Sequence, residues 1–429
     1  MTDTLARLEA GQLAGATRLD LSCGLREFPQ AVFDLADSLE ILNLSGNALS
    51  TLPDDLHRLH KLQVLFCSDN LFTELPACLG RCTSLRMVGF KANQIVSVPA
   101  QALAPGLRWL ILTDNCIEQL PDTLGDCLDM QKLMLAGNHL TMLPDLSRCT
   151  RLELLRISSN RLSQLPTWLL GLPSLAWLAY AGNPLPSGFC APAQAPATPA
   201  IEWRGLQLAE VLGQGASGVI HRARRTDGHQ VAVKLYKGTV TSDGSPLDEM
   251  RACLHAGLHP NLIPLEGRVF DHPQGTEALV MTLIDPAFMN MAQPPSLATC
   301  SRDVYPLGLR LSHDAVQRMA KAIASVGAHL HARGISHGDL YAHNLLYQDD
   351  GRCLLGDFGA ATFHPRDDGD WAHALERIEV RAFGILLGEW LEHSEAPDAR
   401  LLALHEQCVQ ISVQARPSFA EVSARLSGL

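Results

Sequence analysis

The sequence predicts an α/β solenoid over residues 1–185 followed by a separate α+β domain over residues 201–429. Three observations predict it. A unit L-x-x-L-x-L-x-x-N-x-L recurs through the first part, with its Asn at Asn47, Asn70, Asn93, Asn115, Asn138, Asn160 and Asn183, spaced by 23, 23, 22, 23, 22 and 23 residues. That period ends in PLPSGFCAPAQAPATPA, which begins at Pro184 and reads as an extended, semi-stiff spacer, with the linker proper at residues 186–200. Beyond it, a glycine-rich turn between apolar runs leads into strands and long amphipathic helices with no repeat.

Each repeat carries its own signals. Two alternate leucines, such as Leu42 and Leu44, point to one face of a short strand. The Asn follows where the chain turns, and its side chain can bond backbone groups that the turn leaves unpaired. Six of the seven Asn are followed by a proline six residues on: Pro53, Pro76, Pro99, Pro121, Pro144 and Pro166. A degenerate eighth unit opens the array at Leu19-Asp20-Leu21. One unit cannot bury its own leucines, but stacked units form a continuous core. Eight units of this kind resemble the leucine-rich repeat family, in its 23-residue class. In the variable strand positions Phe66, Met87, Trp109, Ile111 and Met134 are expected to form an apolar cluster on the inner face, a surface for a protein partner or one covered by the same chain.

Composition bounds the rest. The chain has 429 residues, 47% hydrophobic and 18% charged, which excludes a mainly disordered protein. A net charge of −11 argues against nucleic acid or anionic membrane as the main partner. No uncharged apolar run reaches the roughly 18 residues of a membrane span, and the N-terminus MTDTLARLEAGQLAGA lacks the apolar segment of a secretory signal. Twelve cysteines without a C-x-x-C pair read as reduced thiols, so a cytoplasmic protein is expected, with an effector secreted into a host cell as the alternative. Cys82, Cys127 and Cys149, each three residues before a repeat, read as small buried residues rather than redox centres.

The second half begins its chemistry at Gly213, where G-x-G-x-x-G-x-V spans Gly213, Gly215, Gly218 and Val219. Apolar runs on both sides make this a hairpin, and its glycines let backbone approach phosphates closely. Val231-Ala232-Val233-Lys234 follows as a strand whose lysine can reach a pair of phosphates. Ser245 and Pro246 cap a helix whose first turns hold Asp248 and Glu249, either of which could pair with Lys234. An apolar strand at 278–281 and a long amphipathic helix at 312–333, stopped by Gly334, come next. Then stand His337-Gly338-Asp339-Leu340-Tyr341-Ala342-His343-Asn344 and, thirteen residues after Asn344, Asp357-Phe358-Gly359.

In sum and in this order, these motifs resemble the protein kinase family from the glycine loop to Arg416-Pro417. The resemblance implies a bilobal kinase-like fold that binds ATP and Mg²⁺. By it, Gly213, Gly215 and Gly218 cover the phosphates, Lys234 binds two of them and is held by Glu249, Asp339 takes or orients the acceptor's proton, and Asn344 and Asp357 hold Mg²⁺. Val219, Ala232, Met281 and Leu346 line the adenine pocket, Leu283 or Ile284 offers it backbone bonds, and Glu379 stands where the family has an Asp that braces the catalytic loop. Ser/Thr-directed phosphotransfer regulated or targeted by the repeats is the function implied, with a scaffold that merely holds ATP as the alternative.

The chain departs from the family pattern in four ways, the first being that Glu249 to His259 is one residue longer than expected, which leaves Asp248 or Glu249 as the partner of Lys234. Gly338 replaces the arginine before the catalytic Asp, so activation by a phosphate on the next loop is not expected. Tyr341 stands where a lysine is usual, and His343, taken as neutral, would supply less charge than lysine or arginine. The segment from Asp357 to Glu379 lacks roughly a dozen residues of the family pattern, which bears on peptide recognition more than on nucleotide binding. The histidines His329, His331, His337 and His343 invite a zinc reading, which the missing cysteines and H-E-x-x-H pattern disfavour.

Overall fold

The computed structural model describes residues 2–192, 196–238, 240–366 and 369–428. It divides into two compact units, Met1–Ser174 and Leu175–Leu429. The last repeat strand, Trp177–Ala179, falls within the second of these units. Leu175–Leu185 follow the repeat pattern in sequence yet fold with the second unit, because Trp177 and Tyr180 are anchored there by hydrogen bonds to Leu340 and Phe363.

The first unit opens with helix α1 (Thr2–Glu9). Seven three-residue strands follow: β1 (Arg18–Asp20), β2 (Ile41–Asn43), β3 (Val64–Phe66), β4 (Met87–Gly89), β5 (Trp109–Ile111), β6 (Lys132–Met134) and β7 (Leu154–Arg156). Neighbours pair in parallel, in sequence order, so the middle residues Leu19, Leu42, Leu65, Val88, Leu110, Leu133 and Leu155 align in one row. All seven are buried. Behind the strands, short 3₁₀ turns start directly after Pro29, Pro76, Pro99, Pro121 and Pro166, whose rings preset the entry angle.

The repeat asparagines knit adjacent units. Asn115 accepts from the Ile95 amide at 3.0 Å and donates to the carbonyls of Phe90 and Leu112 at 2.9 and 3.0 Å. Asn138 repeats the pattern on Ile117, Leu112 and Leu135. The residue before each asparagine lies at positive φ: Gly46, Asp69, Ala92, Asp114, Gly137, Ser159 and Gly182. Only three of these are glycine, so that turn was not legible from residue type. Replacing Asn115 by alanine takes the acceptor from the buried Ile95 amide and removes one donor from each of the Phe90 and Leu112 carbonyls. We expect a loss of about 3 kcal/mol in urea unfolding; a loss below about 1 kcal/mol would show that water enters and substitutes.

Cys82 and Cys127 cap two of the 3₁₀ turns. Burial pushes the Cys82 thiol up to about 12 and those of Cys127 and Cys149 to about 11, which marks them as packing residues. The apolar inner face departs from expectation at Met87, which is buried between Val64 and Trp109 on neighbouring strands. Phe66, Trp109, Ile111 and Met134 are half-buried. The Trp109 indole donates to the Met134 sulfur at 3.4 Å, and the Lys132 ammonium lies over its ring at 4.6 Å.

The second unit holds β8 (Trp177–Ala179) and a six-stranded sheet. That sheet comprises β9 (Ala200–Glu202), β10 (Leu206–Gln214), β11 (Gly218–Arg225), β12 (Gln230–Tyr236), β13 (Leu265–Phe270) and β14 (Ala278–Thr282), in the order β10-β11-β12-β14-β13-β9. All pairs are antiparallel except β9 with β13. Val231, Val233, Ala278 and Val280 form its buried face. Helix α2 (Pro246–Ala256) starts at Ser245, whose hydroxyl accepts from the Leu247 amide.

Strand β15 (Met289–Asn290) leads to helix α3 (His313–His331), capped by Ser312. Next come β16 (Ile335–Ser336), β17 (Leu345–Tyr347), β18 (Cys353–Leu355) and β19 (Thr362–Phe363). Strand β17 pairs with β15 and β18, and β16 pairs with β19. Helices α4 (Asp370–Glu392), α5 (Ala399–Cys408) and α6 (Phe419–Ser427) complete the unit. No helix among the described residues is long and apolar enough to cross a membrane.

Candidate active site

The β10–β11 hairpin carries the glycine turn. A Cβ on Gly218 would stand 2.4 Å from the Leu235 carbonyl of β12, so the strand pair closes only over glycine. Gly213 and Gly215 face open space, and the Lys237 ammonium ties the Gly215 carbonyl at 2.8 Å. Lys234 projects from β12 and pairs with Glu249 on α2. Asp248 turns instead to Arg251 at 2.9 Å, which resolves the choice left open by the sequence. Burial works against the Lys234 charge, but the carboxylates of Glu249 and Asp357 outweigh it and raise the pKa.

The loop between β16 and β17 brings Asp339 and Asn344 together. The Asn344 amide donates to the Asp339 carboxylate at 2.8 Å and to its backbone carbonyl at 2.9 Å. Both bonds use the amide nitrogen, so the amide oxygen remains the atom Asn344 can offer a cation. Asp357 takes a left-handed backbone conformation, φ 52°, and accepts from the Gly359 amide at 3.1 Å. Its charge raises the pKa of both Lys234 and His343. The Phe358 ring packs on His337 at 5.0 Å, and His337 bonds the Gly356 carbonyl at 2.9 Å.

Of the apolar positions, Ala232 and Met281 stand opposite each other on β12 and β14, and Val219 faces Leu235 across β11 and β12. Leu283 follows the end of β14. Leu346 lies on β17, paired with Asn290 and Leu354.

His343 has a partner that the sequence did not mark. Asp303, which no motif marked, receives the His343 ring Nδ1–H at 2.7 Å and its backbone amide at 2.9 Å. Burial opposes the imidazolium, yet the Asp303 bond and the charges of Asp339, Asp303 and Asp357 prevail and raise its pKa. A histidine held toward its charged form therefore stands 4.0 Å from the Asp339 carboxylate. Asp303 sits in an irregular stretch between β15 and α3, so no periodicity could have found it.

Glu379 on α4 accepts the Gly338 amide at 2.7 Å and bonds His331 at 2.6 Å. Burial opposes its charge, but these partners hold its carboxyl below the usual range. His331 reaches His364 at 3.1 Å, and His364 bonds the Pro365 carbonyl at 2.8 Å. A carbonyl and a carboxylate only accept, so His364 donates from Nδ1 to Pro365 and His331 donates from Nε2 to Glu379. His329 bonds the Ala256 carbonyl. Each of the four histidines singled out from sequence thus has a named protein partner.

Burial, then the neighbouring His331 ring, depresses the His364 pKa to about 4 from the ordinary 6.5. The unfolded chain then binds a proton that the folded one refuses between those values. Stability should fall as pH drops from 6.5 to 4, by up to about 3 kcal/mol for this group. His364→Gln should flatten that part of the profile in pH-dependent thermal unfolding. An unchanged slope would mean that another group sets it.

Comparison with known proteins follows the same lines. A family model of the protein kinase domain matches residues 206–373, and one of the leucine-rich repeat matches residues 38–59. The chain therefore carries leucine-rich repeats followed by a protein kinase domain. It is 25% identical over 158 residues to a probable serine/threonine-protein kinase of Arabidopsis thaliana, covering 36% of this chain and 20% of that protein. It is 27% identical over 182 residues to a putative serine/threonine-protein kinase of Acanthamoeba polyphaga mimivirus, covering 41% and 30%. A probable LRR receptor-like serine/threonine-protein kinase of A. thaliana is 32% identical over 170 residues, covering 37% and 26%. The chain thus spans less than a third of the length of each of these three relatives.

Proposed function

We propose that the chain is an ATP- and Mg²⁺-dependent protein kinase directed at serine or threonine, with the repeats as its partner-binding or regulatory module. The observation that carries this reading is Lys234 paired with Glu249 and Asp339 bonded by the Asn344 amide, with the Gly356 amide, next to Asp357, bonded to the Asn344 carbonyl at 3.1 Å. The donor set suits the metal: one amide oxygen from Asn344 and the Asp357 carboxylate are hard ligands of the kind Mg²⁺ takes. When bound, the ion neutralises phosphate charge between ATP and the loop.

The chain's own residues do the rest. The turn at Gly213–Gly218 covers the phosphates with backbone, and Lys234, fixed by Glu249, binds two of them. Asp339 accepts the hydroxyl proton of the acceptor and is itself steered by the Asn344 amide. His343, held by Asp303 at 2.7 Å, stands beside that carboxylate. Val219, Ala232, Met281, Leu283 and Leu346 surround the adenine.

The serine/threonine assignment follows the named relatives. The repeat face bearing Phe66, Trp109, Ile111 and Met134, with Met87 beneath it, receives a protein partner through apolar and aromatic contact. The reaction is tested with γ-labelled ATP and Mg²⁺, reading label on the chain itself and on serine, threonine and tyrosine peptides. Label on serine or threonine is expected. ATP bound without any label transferred would instead favour an ATP-holding scaffold.

A further inference from the structure

We propose that Trp177 is a positioning residue for the catalytic loop, holding residues 338–341 so that Asp339 is presented correctly. The inference rests on the kinase reading above. Its place in the repeat pattern gave Trp177 no link to the catalytic loop, and the structure supplies one.

The Trp177 indole donates to the Leu340 carbonyl at 3.1 Å. Its ring stacks on Tyr341 with centroids 4.1 Å apart and planes 9° from parallel. Both rings are buried. Tyr341 in turn meets the His343 ring at 5.1 Å, and the Arg302 guanidinium lies 5.5 Å from the Trp177 ring, next to Asp303. Trp177 is thus attached to both residues that follow Asp339.

The same segment follows the shortened stretch after Asp357. The Leu178 carbonyl lies 2.9 Å from where a Gly338 Cβ would be, and the Ala360 carbonyl 2.4 Å. The Tyr180 hydroxyl donates to the Phe363 carbonyl at 2.9 Å. Gly188 packs on Pro365, and Phe189 meets Trp371 edge-on at 5.6 Å. Residues 177–189 therefore contact the chain from Gly338 to Trp371 at successive points. This is the region where the segment is short by about a dozen residues of the family pattern and where Gly338 leaves no side chain to fix the loop. The Trp177 stack and hydrogen bond take over that fixing within one chain, with no phosphate required.

Two full-length variants test this. Trp177→Leu removes both stack and hydrogen bond, and Trp177→Phe keeps an aromatic face but no donor. Trp177→Leu should lower kcat about 100-fold while the KM for ATP changes less than about threefold. Trp177→Phe should lose about tenfold. Hydrogen exchange of the amides at 338–344 should quicken in both, with β12 and α3 unchanged.

Unchanged kcat with unchanged loop exchange overturns the proposal. So does exchange that quickens throughout the unit, because that marks general core packing. If Trp177→Leu does not fold, Trp177→Phe decides by the same readings. If the wild type transfers no phosphate, the kinase reading fails, and loop exchange alone decides whether Trp177 holds the loop.

Discussion

Replacing Gly338 by arginine, the residue the kinase pattern carries there, should destabilise the chain by about 4 kcal/mol and should not raise its activity. The backbone at Gly338 has φ 74°, a conformation that costs a residue with a Cβ about 1–2 kcal/mol. The added Cβ would also lie 2.4 Å from the Ala360 carbonyl and 2.9 Å from that of Leu178, both backbone atoms that cannot swing away. Overpacking of that kind costs a further 1–3 kcal/mol. A guanidinium entering beside Glu379, whose carboxylate already serves His331 and the Gly338 amide, would compete for a filled acceptor. Urea unfolding and phosphotransfer rates on the same protein check this. A variant as stable as the wild type and more active would show that the loop can be remodelled toward the usual pattern.

Asp339→Asn should leave the fold intact and lower phosphoryl transfer by about 100- to 10,000-fold. The change is isosteric, and the loop amide of Asn344 can still donate to the new side-chain oxygen. What disappears is the carboxylate that accepts the acceptor's proton, along with the charge partner of His343. ATP affinity should change little, because the phosphates are bound chiefly by Lys234 and the glycine turn. A variant that loses ATP binding in step with turnover would place Asp339 in nucleotide binding instead.

The repeat array was legible because its period constrains every residue. Leu42, Leu65 and Leu110 must be apolar and Asn70 and Asn115 must bond the turn, so spacing alone reveals strands and ladder. The nucleotide cleft was legible because phosphate chemistry admits few residue types at fixed offsets, as at Gly218, Lys234 and Asp357. The rest depended on long-range packing that leaves no local signal. Asp303 bonds His343 across 40 residues of chain, and His331 meets Glu379 across 48. Trp177 reads as one more variable position in a strand, and nothing local in Leu175–Leu185 signals its bond to Leu340, 163 residues on. The residue before each repeat asparagine was missed for the opposite reason. Its positive φ is imposed by the turn on Asp, Ala and Ser as well as on Gly.

The most direct measurement pairs ATP binding with phosphotransfer, on the same preparations of the wild type, Lys234→Met and Asp339→Asn, with Mg²⁺ present. The account predicts that the wild type binds ATP and labels serine or threonine. Asp339→Asn should bind ATP with little transfer, and Lys234→Met should lose transfer and weaken binding. ATP bound equally by all three with no label on any protein or peptide would contradict it.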